Sequence, residues 1–226
     1  MKVKLGEFMM ELTGIWASLY KVCTWVTRFA WLNLIWLLGT LIGLILFGLM
    51  PATIAMFTIV RKWIQKETDT PILSTFVDAF KSHFWKANLF GVVLYGLGYF
   101  LSVFLKYAGL MSDTSFHSVL LGIFVMATFF YLMLVLYVVP VYVHFELSFW
   151  QYIRYAVTIG AIKLHYSICM VTILAGVYFL SFKFPGVGLF FSFSFSAYII
   201  MFFAHLGFQQ LLQVQQEQID HSVTTN

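Results

Sequence analysis

Charge is what this chain has least of. Charged side chains make up 10% of its 226 residues, and the 32-residue stretch from Phe29 to Val60 holds none. A soluble domain covers its surface with about 25% charged residues. With 62% hydrophobic residues and 26 phenylalanines, the chain reads instead as an integral membrane protein. Cysteine is nearly missing as well. Cys23 lies near a membrane edge and Cys169 inside an apolar run, which argues against a disulfide between them and leaves no Cys-x-x-Cys metal spacing. Long polar segments are missing too: none exceeds about 30 residues, so the net charge of +4 reflects the basic cytoplasmic loops of membrane proteins rather than nucleic-acid binding. No secretory leader is evident, because Lys2, Lys4, Glu7 and Glu11 interrupt the first residues and no short apolar region leads to a small-residue cleavage site. Catalytic signatures are absent: there is no Gly-x-Ser-x-Gly elbow, phosphate-cradling glycine loop or His-Glu-x-x-His. No catalytic, cofactor-binding or metal-binding residue is therefore assigned, and no cofactor is expected.

What is present is helical periodicity. The fold class is all-α, a polytopic transmembrane bundle forming a single membrane domain over 1–226. Residues 8–26 carry Phe8, Leu12, Ile15, Trp16, Leu19, Val22, Cys23 and Val26 at three- and four-residue steps, the pattern of an interfacial amphipathic helix. The charge-free run follows. As one helix it would be about 48 Å long, too long for one crossing of a hydrocarbon core of about 30 Å and short for two. Pro51 breaks it, so 29–63 is read as a hairpin whose returning arm, Ala52–Trp63, is a short or re-entrant helix of about 18 Å. Thr70-Pro71 looks like an N-cap and first helical position for a second interfacial helix over 71–86, with Leu73, Phe76, Val77, Phe80 and Phe84 on one face. Full spans are expected at 87–107, 116–143 (interrupted by Pro140), 164–182 and 185–206. A third surface helix lies between 144 and 163, and a Gln-rich polar tail over 207–226 frays at Thr224-Thr225-Asn226.

Lysine and arginine positions set the sidedness. If the opening run crossed once, the basic residues would divide six against seven. If it returns, eleven fall on the side of the N-terminus and two, Lys106 and Lys183, on the other. Basic residues favour the cytoplasmic side, which selects the hairpin with both termini cytoplasmic. Span, proline, aromatic surface helix and span recur around Pro51 and Pro140, and Leu73-Ser74-x-Phe76 resembles Leu147-Ser148-Phe149-Trp150. Duplicated halves of this kind are common in transporters.

Several residue groups have two readings. Gly39-x-x-x-Gly43 allows close helix approach, either as a dimer seam or within the monomer against the returning arm; Gly91, Gly96 and Gly98 share that ambiguity. Arg61-Lys62-Trp63, Trp85-Lys86 and Trp150 with Arg154 are either a docking surface for anionic lipid or a partner protein, or ordinary aromatic and basic anchoring of spans. His144, His165 and His205, with Glu146, fall near inner span ends but lack metal-ligand spacing. No ionisable residue sits at mid-membrane, since Lys106 and Lys183 can snorkel, which argues against a proton- or sodium-coupled pump. Asn33, Thr40, Thr128, Thr172 and Ser192, Ser194 and Ser196 offer neutral polarity, for helix packing or for a passive path.

The stretch Leu49-Met50-Pro51-Ala52-Thr53-Ile54-Ala55-Met56-Phe57-Thr58-Ile59-Val60-Arg61-Lys62-Trp63, preceded by Asn33-Leu34-Ile35-Trp36, resembles the signature of the YesL family of bacterial membrane proteins: an Asn-x-x-Trp span, a Pro-Ala-Thr-x-Ala helix and a basic end. Phe76, Phe80 and Phe84 resemble its next segment. The resemblance implies a small polytopic protein of the cytoplasmic membrane of Gram-positive bacteria, often encoded beside sugar-importing ABC transporters and polysaccharide-degrading enzymes. It implies no catalytic residue. Two functions are expected from this. The first is a non-enzymatic accessory protein of carbohydrate uptake, in the lipid bilayer and touching an ABC permease through the surface helices at 71–86 and 145–163. The alternative is a small neutral-solute transporter or channel, which requires a wet cavity at mid-membrane depth ringed by Asn33, Thr40 and serines.

Overall fold

The computed structural model of the chain describes residues 2–110 and 117–224, with side chains over 16–109 and 117–213. The linker at 111–116, the terminal Thr225-Asn226, and the side chains of Phe8, Leu12 and Ile15 lie outside the described residues. Seven helices follow in order: α1 Lys2–Ile42, α2 Leu46–Ile64, α3 Ile72–Leu110, α4 His117–His144, α5 Phe149–Ile162, α6 Leu164–Lys183 and α7 Pro185–Thr224. Six of them, all but α5, are long and apolar enough to cross a membrane. The chain is an all-helical, multi-pass membrane protein.

Helix α2 is the centre of the bundle. Buried residues fill 61% of its apolar window, against 11% for α6 and 39% for α7. Its sequence explains why. Ala52 and Ala55 are fully buried and let neighbouring backbones come close, while Ile54, Ile59 and Val60 fill the spaces between. The outer helices turn large apolar side chains such as Phe179 and Phe182 outward, as a protein solvated by lipid must.

The chain reverses at Gly43-Leu44-Ile45, six residues before the expected break at Pro51. Pro51 sits inside α2, where it removes one backbone donor near the start of the helix without ending it. The returning arm is therefore the 19 residues Leu46–Ile64, about 28 Å, rather than a short arm. Two glycines make the reversal possible. A Cβ on Gly43 would collide with Cα of Gly48, and one on Gly48 with the carbonyl oxygen of Thr40. Gly39 lies against Ala52 and Phe76, so the Gly39-x-x-x-Gly43 motif is spent inside the monomer. The turn's donors are satisfied locally: Gly43 N–H bonds Gly39 C=O at 3.1 Å, Leu44 N–H bonds Leu41 C=O at 3.0 Å, and Ile45 N–H bonds Thr40 C=O at 2.8 Å. Leu44 (φ 59°) and Ile45 (φ 61°) adopt the left-handed region, a strained place for a branched side chain.

The tip itself is apolar and exposed at Ile42, Leu44, Ile45, Leu46 and Phe47. A turn with satisfied donors and no polar side chain suits lipid, not water. In a Cys23→Ser/Cys169→Ser background, a cysteine at Leu44 is expected to resist an impermeant maleimide from either side of a sealed vesicle, while Asp69→Cys labels from one side. Labelling of position 44 at the rate of position 69 would place the tip in water.

Two expected boundaries are not breaks. The 8–26 segment and the first span form one helix, α1, and the 71–86 segment is continuous with the 87–107 span in α3. No glycine or proline lies between 26 and 29 or at 86–87 to stop either helix. The tail likewise continues α7 as far as Thr224. Helix α3 crosses the hairpin near its tip. Phe76 meets Gly39, Gly91 meets Met50, and Phe80, Phe84, Asn88 and Val92 border the turn. Asp78 and Lys81 stay exposed on the opposite face of α3. Helix α5 is capped by Ser148, whose N–H bonds Gln151 Oε1 at 2.9 Å. It buries Tyr152 and Ala156, and Phe149 stacks on Phe90 with centroids 4.7 Å apart. The segments that follow Pro51 and Pro140 fold differently. Helix α3 runs unbroken, whereas α5 and α6 are separated at Lys163 (φ −99°, ψ 42°).

Candidate functional site

Asn33, Ser192 and Ser194 hold helices together, Thr40 and Thr172 bond carbonyls of their own helices, and Thr128 Oγ1 and Ser196 Oγ are buried without a partner. Asn33 is buried and reads two backbone groups of α7: its Nδ2 donates to Leu189 C=O at 2.6 Å and its Oδ1 accepts from Ser194 N–H at 3.0 Å. Ser194 Oγ donates to Phe29 C=O at 3.0 Å, returning the link to α1. Trp36 stacks on Phe193 at 4.2 Å, and its Nε1 donates to Thr53 Oγ1 at 3.2 Å. The Asn-x-x-Trp and Pro-Ala-Thr elements thus meet in one buried knot joining α1, α2 and α7. Thr40 Oγ donates to Trp36 C=O at 2.9 Å, and Ser192 pairs with Ser181. Asn33, Thr40, Ser192, Ser194 and Ser196 are all buried; they do not ring a wet cavity. A groove of about 480 Å³ between α1, α6 and α7, bordered by Trp25, Phe29, Leu180 and Phe191, is apolar.

Polarity gathers elsewhere, at the end of the bundle where α2, α4 and α7 finish their apolar runs. A cavity of about 720 Å³ is lined by Thr58 and Arg61 of α2, His83 and Lys86 of α3, Tyr142 and His144 of α4, Glu146 of the following loop, and Tyr152 of α5. Its walls are fixed by hydrogen bonds. His83 Nδ1 and Tyr142 Oη lie 2.9 Å apart. Tyr152 Oη donates to Phe145 C=O and accepts from Leu147 N–H, each at 3.0 Å, which pins the 145–148 loop over the opening. Behind the cavity, the rings of His144 and His205 lie 5.7 Å apart, and Gln209 Nε2 is 3.0 Å from His205 Nε2.

The electrostatics of this cavity are unbalanced. Arg61 and Lys86 bring two cations, and Glu146, exposed at the rim, is the one acid in the lining. Arg61 has no carboxylate within salt-bridge distance among the described residues, and its Nε is buried without a protein acceptor, as is Nδ1 of His144. Buried polar atoms in native proteins are almost always paired. The other unpaired buried side-chain atoms among the described residues are Trp63 Nε1, Thr128 Oγ1, Ser196 Oγ and His205 Nδ1, and of the six residues Arg61 and His144 line the cavity.

The sequence-selected residues divide accordingly. Arg61 and Lys86 converge here, and His144 and Glu146 join them. His165 packs on Tyr166, with ring centroids 4.1 Å apart, away from the other two imidazoles, and among the described residues no three metal-type ligands come together. Trp63 is not a surface anchor. It is 4% exposed, set edge-on to Trp25 (5.6 Å) and Phe29 (5.7 Å). Trp85 and Trp150, 84% and 76% exposed, do face outward. Sequence reasoning missed His83, although it lies three residues before Lys86, a spacing that puts both on one helix face.

Comparison with known proteins gives a consistent answer. Residues 29–104 match the model of a family described as "Protein of unknown function, DUF624". Three Bacillus subtilis (strain 168) proteins align over nearly the whole chain. Uncharacterized protein YteU is 34% identical over 92% of this chain and 91% of its own. Uncharacterized protein YesV is 35% identical over 88% and 95%, and Uncharacterized protein YesL is 31% identical over 93% and 99%. No solved structure matches.

Proposed function

The chain belongs to the DUF624 family of YesL-like membrane proteins, and from that premise we propose that it is a non-enzymatic accessory protein of carbohydrate uptake in a bacterial cytoplasmic membrane, working by contact with an ABC-type sugar permease. The observation that carries this reading is the division of polarity. Asn33, Ser192 and Ser194, side chains that a solute path would need, are used to join helices, while Arg61, Lys86, His83 and Glu146 gather around one cavity at the end of the bundle. Trp85 on α3, which borders the hairpin tip beside Leu44 and Phe47, and Trp150 on α5 are exposed next to basic residues and are the contact residues. Exposed tryptophans beside basic residues are enriched where proteins anchor partners. The basic end is cytoplasmic by its lysine and arginine excess, which puts both termini inside.

Mild-detergent extraction from native membranes tests the reading. The sugar permease is expected to co-purify with the wild type and to be lost from a Trp85→Ala/Trp150→Ala variant that still folds. A protein that emerges alone, and whose deletion leaves growth on the glycan unchanged, sinks it. The alternative, a conduit for a small neutral solute, calls for measurable flux in reconstituted vesicles, and the buried, bonded state of Asn33, Thr40 and Ser194 gives such a solute nothing to follow.

A further inference from the structure

We propose that the cavity between α2, α3 and α4 is a binding site for a phosphate-bearing anion, with Arg61 and Lys86 as its charged contacts and His83 and Tyr142 as its hydrogen-bonding wall. The inference stands on the cavity and not on the accessory role, so it survives if no permease is found.

Four observations lead to it. The cavity's volume, about 720 Å³, falls within the roughly 300–1,000 Å³ of small-ligand sites, large enough for a headgroup or a sugar phosphate rather than a lone water. Its two cations come from different helices and have no acid between them; Arg61, in particular, is half-buried with an unpaired Nε. A buried Nε without an acceptor gains from one, and a forked donor of this shape matches phosphate and carboxylate oxygens. The hydroxyl of Tyr142 and the imidazole of His83 add neutral polar groups within the same walls, while the Thr58 hydroxyl spends its proton on Ile54 C=O. Finally, the cavity opens where α2 and α4 end in Arg61 and His144, and basic pockets at the ends of membrane helices bind anionic headgroups. Phosphate is favoured over carboxylate because two separate cations and two neutral polar groups suit three or four oxygens better than two.

Glu146 is the one countercharge on the rim. Its side chain is exposed and makes no ion pair with Arg61, so it screens the opening without filling it.

The phosphate has two sources, and one experiment separates them. The full-length protein is reconstituted in nanodiscs of phosphatidylcholine alone and of phosphatidylcholine with phosphatidylglycerol, and the thermal unfolding midpoint is followed. To the phosphatidylcholine discs, inorganic phosphate or a soluble hexose phosphate is added. A rise with phosphatidylglycerol assigns the site to a lipid headgroup; a saturable rise with either soluble probe assigns it to a free phosphate. In both cases Arg61→Gln is expected to weaken the half-saturating concentration about tenfold or more, as the loss of a charge-assisted contact does, with Arg61→Lys in between. Glu146→Gln should tighten it. Lys86→Gln, at an exposed position, guards against misfolding at Arg61 and should also weaken binding, whereas Arg154→Gln, off the cavity, should not. No shift of the wild type by phosphatidylglycerol, phosphate or hexose phosphate overturns the proposal. So does a shift that both Arg61→Gln and Lys86→Gln leave intact.

Discussion

Replacing Asn33 with alanine is expected to destabilise the protein by about 2–4 kcal/mol, far more than its single-residue volume suggests. The amide closes two bonds to the α7 backbone, to Leu189 C=O and from Ser194 N–H, in a site with almost no solvent exposure. Side-chain hydrogen bonds between membrane helices average only about 0.6 kcal/mol, so a lone bond would not justify the figure. Here one side chain serves two backbone groups, and its removal strips both of a partner at once, each at about 1–3 kcal/mol. Asn33→Leu should be no better, because filling the space does not restore either bond. Thr40→Ala is the contrast: its hydroxyl bonds only a carbonyl of its own helix, Trp36 C=O, and its loss should stay within about 1 kcal/mol. Thermal midpoints of the purified variants in one detergent, ranked Asn33→Ala well below Thr40→Ala, check the order. Equal midpoints would show that α7 does not depend on the clamp. A conduit lined by Asn33 makes a different forecast, altered permeation at unchanged stability.

The same residues show how much the sequence disclosed. Length, charge scarcity and periodicity are enough to place a helical membrane bundle, and the split of eleven basic residues against two pointed to a hairpin. The position of the reversal was not legible, because Pro51 is the louder local signal and the true determinant is a contact between two glycines five residues apart. An apolar stripe ending in charge at Arg28 or Lys86 looked like a helix boundary, yet no breaker follows, and α1 and α3 run through. Trp63 looked like an interfacial anchor from its Arg-Lys-Trp context. Its burial depends on Trp25 and Phe29, more than thirty residues away. The basic cavity was half visible: Arg61, Lys86, His144 and Glu146 stood out as types, but nothing local says that α2, α3 and α4 bring them to one wall, and His83 emerges only from its 2.9 Å contact with Tyr142.

Closing the hairpin is the other step on which the whole bundle turns, and Gly48→Val should prevent it. A Cβ at position 48 would sit well inside van der Waals contact distance of the Thr40 carbonyl oxygen and 2.8 Å from Gly43 Cα. Both obstacles are backbone, so no side-chain rotation relieves them. Overpacking a deformable core costs about 1–3 kcal/mol; here the arms themselves must part. Because α2 is the most buried helix and contacts α1, α3, α4 and α7, moving it disturbs all four neighbours. The expected result is loss of the folded, monodisperse protein on size exclusion, with Gly43→Val behaving alike. Gly96→Ala and Gly176→Ala, where an added Cβ meets nothing within 4 Å, should elute as the wild type does and gain slightly from reduced backbone freedom. If Gly43→Val instead stays folded and only changes the oligomeric state, the glycine motif is a seam between copies, and the contact between the hairpin arms is not what the glycines are for.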